Sequence, residues 1–111
     1  MASEQRAAMR GGKGTVTITH LFKPGEMTTP TRLCAKLTLP PGASIGLHPH
    51  EREDEVYYIL RGTGRILDNG ALADVGPGDA ILTGGGASHA IECTSAVPLE
   101  IMAVIISAPA Q

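Results

Sequence analysis

Gly42-Ala-Ser-Ile-Gly-Leu-His-Pro-His-Glu-Arg-Glu-Asp-Glu-Val-Tyr-Tyr-Ile-Leu-Arg-Gly62 is the stretch on which the reading of this chain turns. His48 and His50 are two residues apart, so on a strand they face the same way, about 6.7 Å apart along it. A charged turn, Glu51-Arg52-Glu53-Asp54, leads to Glu55, which opens the β-favouring run Val56 to Leu60. Two imidazoles and a carboxylate on neighbouring strands make a candidate metal site. Glu55 is the expected ligand because the strand begins there. Glu51, Glu53 and Asp54 read as a solvated turn.

Upstream, Thr15 to Leu21 alternates and is rich in β-branched residues, which predicts a strand carrying His20 at a surface or edge position. Arg32 to Leu39 predicts another, with Leu33, Ala35, Leu37 and Leu39 on one face and Arg32, Cys34 and Lys36 on the other. Strand parity then puts Ser44, Gly46, His48 and His50 on one face of a third strand. Downstream, Asn69-Gly70 between two short apolar runs predicts a two-residue type I′ hairpin. Thr83 to Ala87 reads as a glycine loop, and Ser88 to Cys93 as a strand with His89, Ile91 and Cys93 on one face. Leu99 to Ile106 is almost wholly aliphatic, so both of its faces are expected to be buried, one in the core and one against a second subunit. Eight or nine short strands, frequent turns and no helical periodicity give an all-β chain, a sandwich or a jelly-roll barrel. The expected layout is a flexible N-terminal segment, residues 1–14, opening with a frayed helical turn, then a single domain over residues 15–108.

Composition removes several function classes. A net charge of -2 offers no footprint for nucleic acid, and an aromatic content of 3% offers no base-stacking platform. Met1 to Arg10 has no apolar signal-peptide core, and no run approaches the ~18 apolar residues of a membrane span. Cys34 and Cys93 form no spacing motif and read as free thiols in a reducing compartment, which points to the cytoplasm.

The spacing Gly42, His48, His50, Glu55, Gly62 resembles the first motif of the cupin superfamily. Gly78, Gly86 and His89 resemble the second, at the short separation of small microbial single-domain cupins. Two positions depart from the pattern: Gly84 stands where a proline is usual, and Cys93 where an asparagine is usual. The resemblance implies a double-stranded β-helix, a homodimer, and a divalent metal held by His48, His50, Glu55 and His89.

Three imidazoles and a carboxylate suit Mn or Fe, with Ni, Zn or Cu also compatible. Four protein ligands on an octahedral ion leave two positions, which fit a small oxygen-rich anion: oxalate, a 2-oxo acid or an enediol. Affinity should fall below about pH 6.5, because the ligand histidines must be neutral.

Three functions follow as expectations. The first is a metal centre that binds such an anion, with dioxygenase-type chemistry if the ion is Fe(II). The second is a non-catalytic binding or sensing module. The third is a sugar-phosphate or uronate isomerase, which needs a general base, a role for which Tyr57 or Glu55 would have to serve. Oxalate decarboxylases carry an arginine three residues before the first metal histidine; Ile45 occupies that position, so decarboxylation is not expected.

Overall fold

The computed structural model describes residues 2–23 and 25–108. Its strands are β1 (Ala2–Ala7), β2 (Thr15–Phe22), β3 (Thr31–Leu39), β4 (Ser44–Pro49), β5 (Glu53–Arg61), β6 (Gly64–Asp68), β7 (Ala71–Val75), β8 (Ala80–Gly84), β9 (Ser88–Cys93) and β10 (Leu99–Ser107). A single 3-10 turn, Met9–Gly11, follows β1. Among the described residues no helix is long and apolar enough to cross a membrane.

The strands form two antiparallel sheets, ordered β1-β2-β3-β10-β5-β8 and β4-β9-β6-β7. They face one another as the all-β jelly roll of a double-stranded β-helix. Alternation along the strands decides what lies between the sheets. Ala35, Leu37 and Leu39 of β3 and Ile101, Ala103 and Ile105 of β10 point inward from one sheet, and Ile45, Ile66 and Ile91 meet them from the other. Burying each of the larger aliphatic side chains contributes about 1.5–3 kcal/mol. The outer face of β10 is only half covered, because Met102 and Val104 reach the surface of the chain. Asn69 and Gly70, both at positive φ, turn β6 back onto β7 with Asp68 opposite Ala71, as the hairpin signal predicts.

Two local expectations are overturned. Residues 2–7 do not open as a helical turn: they form β1, an edge strand paired with β2 from Ala2 opposite His20 to Ala7 opposite Thr15. The β-branched run of β2 offers a free edge, and β1 covers it.

Nor do Ser44, Gly46, His48 and His50 share one face. The register of β4 against β9 slips between Ile45, opposite Ile91, and His48, opposite His89. This bulge turns Ile45 into the core and still leaves His48 and His50 buried. Gly46 lies at the slip because a Cβ there would collide with the carbonyl of Arg10.

Candidate metal centre

Three segments carry the site. The end of β4 supplies His48 and the residue just past it His50, β5 supplies Glu55 and β9 supplies His89. The two loops beside them are tied together: the His50 amide donates to the Ala87 carbonyl at 3.0 Å, and the Gly86 amide donates to the His50 carbonyl at 3.0 Å. Glu55 comes from the opposite sheet, directly across from Thr83 on β8. All four side chains are buried, and their candidate ligand atoms lie within 4.8 Å of one another.

The outer ring nitrogen of each histidine is engaged. His48 Nδ1 lies 2.7 Å from the Gly46 carbonyl, which can only accept, so Nδ1 is the protonated nitrogen. His50 Nδ1 donates to Glu53 at 2.6 Å. His89 Nδ1 lies 3.0 Å from the Thr83 hydroxyl, which itself donates to Asp68 at 3.2 Å and so accepts from the imidazole. Each neutral imidazole therefore aims a bare Nε2 inward.

Those lone pairs crowd together. His89 Nε2 lies 2.9 Å from His50 Nε2 and 3.2 Å from His48 Nε2. Glu55 Oε1 lies 2.8 Å from His50 Nε2 and 3.0 Å from His89 Nε2, yet it is buried and receives no hydrogen bond. Four acceptors facing one point with no proton between them repel, and a cation relieves them. Burial also disfavours the imidazolium of His48 and holds its pKa below the ordinary histidine value, the Gly46 hydrogen bond opposing in part. The donor set thus fits a metal ion.

Glu53, expected in a solvated turn, is the main residue that sequence reasoning missed. Its side chain is 13% exposed and bridges His50 to Arg32, whose Nε and Nη2 each donate to it at 2.9 Å. The Arg32 hydrogen bonds, with His50 adding to them, hold its carboxyl down at about 2 against the penalty of burial. Glu53 thereby fixes the tautomer and angle of His50. We expect Glu53→Ala to weaken metal affinity about 10- to 100-fold, read by competition with a chelator of known affinity.

Tyr57, the candidate base, is buried and stacked on His89, with ring centroids 4.9 Å apart and planes 16° off parallel. Burial, then the charge of Glu55 and a hydrogen bond to it, push the phenol pKa well above its usual value. The phenol is therefore a donor at neutral pH, which argues against its serving as a base.

Lys36 and Cys93 fall outside the cluster. Lys36 pairs with Glu100 at 3.4 Å, and the buried Cys93 thiol meets the Val97 carbonyl at 3.4 Å. His20 is not a plain surface residue: its side chain is 15% exposed and lies 3.3 Å from Glu4. A cavity of about 590 Å³ opens over the cluster and is lined by His48, His50, Glu55 and Tyr57 together with residues of the N-terminal segment.

A cupin-domain family model matches residues 35–105 of this chain. The chain belongs to the cupin family. This cupin is 48% identical over 103 residues to a Thermotoga maritima protein described as oxalate-binding, covering 93% of this chain and 85% of that protein. A Thermotoga maritima crystal structure described as a predicted oxalate decarboxylase superposes with a TM-score of 0.92 at 47% identity, covering 96% of this chain and 93% of the other. The cupin domain of an XRE-family transcriptional regulator from Enterobacter cloacae superposes with a TM-score of 0.74 at 22% identity, over 85% of this chain and 98% of that one, and shows the fold alone.

Proposed function

We propose that this cupin holds one divalent transition metal, Mn or Fe ahead of Ni, Zn or Cu, through His48, His50, Glu55 and His89. On it the protein binds a small oxygen-rich anion such as oxalate or a 2-oxo acid, without turnover. The observation that carries the reading is the convergence of four lone-pair atoms beside a cation-rich cavity. Arg6, Arg10, Lys23 and Arg32 line that cavity against two carboxylates, Glu4 and Glu55. When bound, the metal supplies Lewis-acid attraction for the ligand's oxygens.

The chain's own residues set the rest of the environment. Tyr57 offers a proton donor beside Glu55, and Ile45 contributes apolar wall. With Glu55 committed to the metal and Tyr57 protonated, neither serves as a general base, which supports binding over isomerisation. The kinship with an oxalate-binding protein supports the ligand class.

The test is elemental analysis of purified protein, calorimetric titration with oxalate and pyruvate, and an assay for CO2 and formate. We expect one metal per chain, saturable binding of at least one acid, and no product. Absence of bound metal after Mn, Fe, Ni and Zn are each offered would sink the metal reading. Metal-dependent formate release would sink the claim of no turnover.

We also propose a homodimer through the outer face of the six-stranded sheet. Cys34, Val104, Val56 and Leu82 lie side by side there across β3, β10, β5 and β8. Leu82 is 65% exposed and Tyr58 44%. Lys36 and Arg61 both reach Glu100, giving the patch a charged rim. An apolar face with a polar rim suits a second copy of the chain. Val104→Glu is expected to convert the dimer to monomer in sedimentation equilibrium, and a wild-type monomer at micromolar concentration would refute the interface. The free thiols Cys34 and Cys93 suit a reducing compartment such as the cytoplasm.

A further inference from the structure

The N-terminal segment brings an arginine to the wall of the cavity. Arg10 follows β1 in the 3-10 turn and lines the same cavity as His48, His50, Glu55 and Tyr57. Its backbone is locked in place. Arg10 and Ala8 are both non-glycine residues in the left-handed region, at φ 54° and φ 50°. Strained backbone of this kind persists only where its surroundings hold it, and it gathers at ligand sites.

The hold is visible at the bulge of β4. The Arg10 carbonyl packs on Gly46, two residues before His48, where any Cβ would collide with it. Gly12 packs equally closely on the backbone of Ser44. Lys13 completes the anchorage: its amide donates to the Ser44 hydroxyl at 2.9 Å, and its carbonyl accepts from the Ser44 amide at 2.8 Å.

Among the described residues the guanidinium has no counter-ion. Around it, Arg6 is neutralised by Glu4 at 2.7 Å and Arg32 by Glu53 at 2.9 Å. Among the described residues no carboxylate pairs with Arg10. Its charge is nevertheless felt at both His48 and Tyr57, where burial is the larger influence. Lys23, which makes no ion pair among the described residues, lines both this cavity and a second one shared with Ala2, His20 and Glu26.

We propose that Arg10 is the anion-recognising residue of this cavity, gripping the outer oxygens of a small dicarboxylate or 2-oxo acid whose inner oxygens face His48, His50, Glu55 and His89. The inference rests on the anion-binding reading above and adds the residue that selects for charge. A guanidinium offers paired donors that match a carboxylate, so a lysine substitutes for it only in part. The N-terminal segment is then part of the binding site.

The test compares manganese-loaded wild type with Arg10→Met, Arg10→Lys and Arg65→Met, titrated calorimetrically with oxalate and pyruvate, with metal content measured on each sample. Arg10→Met is expected to weaken the binding of oxalate about 10- to 100-fold while keeping full metal content. Arg10→Lys should recover part of the loss, and Arg65→Met, which removes an exposed cation paired with Asp74 away from this cavity, should change affinity less than about threefold. Equal affinity in wild type and Arg10→Met would overturn the role of Arg10 and leave the anion reading standing. Loss of metal from Arg10→Met would also overturn it, in favour of a structural role for the segment. Failure of wild type to bind either acid would remove the anion reading and this inference together.

Discussion

Replacing His89 by alanine is expected to strip the protein of its metal. His89 Nε2 is the hub of the cluster, lying 2.9 Å from His50 Nε2, 3.2 Å from His48 Nε2 and 3.0 Å from Glu55 Oε1. Loss of a supporting hydrogen bond costs about 10- to 100-fold in affinity; loss of a ligand should cost more, about a thousandfold. After dialysis against a mild chelator, we expect less than about 0.1 metal per chain by elemental analysis, against about one for wild type. Because alanine also leaves a void beside Tyr57, His89→Asn serves as a second variant, and far-UV circular dichroism checks that each is folded. Full retention of metal by folded His89→Ala would place the ion elsewhere.

The second large effect is thermal. Without a cation, the four converging acceptors repel one another inside a buried pocket, and folding must bear that repulsion. An ion that binds only the folded chain stabilises it by about 4 kcal/mol when present at a thousand times its Kd. For a domain of this size each kcal/mol moves Tm by roughly 4–8 °C, so loading should raise Tm by about 15 °C or more. Differential scanning calorimetry of metal-loaded and chelator-treated protein measures this. A shift below about 3 °C would mean that the folded state gains little from the ion, against the crowding described above.

Much of this was legible in residue order, and the exceptions have specific physical causes. Alternation in β3 and β9 and the Asn69-Gly70 turn are local signals, and they placed those elements well. His48, His50, Glu55 and His89 stood at recognisable spacing, and the structure brings the four side chains together.

Glu53 was not legible because its inward turn depends on Arg32, twenty-one residues earlier, and on His50 presenting Nδ1 to it. Acidic residues in a charged turn look alike in sequence whichever way they point. The bulge in β4 was hidden for a similar reason: it is imposed by the backbone of Arg10 lying against Gly46, and strand parity assumes an undisturbed ladder. The strand at residues 2–7 has little propensity of its own. It exists because β2 offers it an edge, and composition alone does not display a partner.

The split of the ligands between the two sheets carries a kinetic consequence. Glu55 belongs to the sheet containing β10, whereas His48 and His89 belong to the sheet of β4 and β9. His48 and His89 face each other only after β4 and β9 have paired in register, and Glu55 joins them only once the layers have closed. An ion bound by all four residues would therefore find its full ligand set only once both sheets have formed and closed. Interactions made after the transition state leave the folding rate almost unchanged and slow the reverse step. A metal held by these four residues would work as a latch on the closed barrel: it would do little to help the chain find its fold, and it would lengthen the time for which the two layers stay shut.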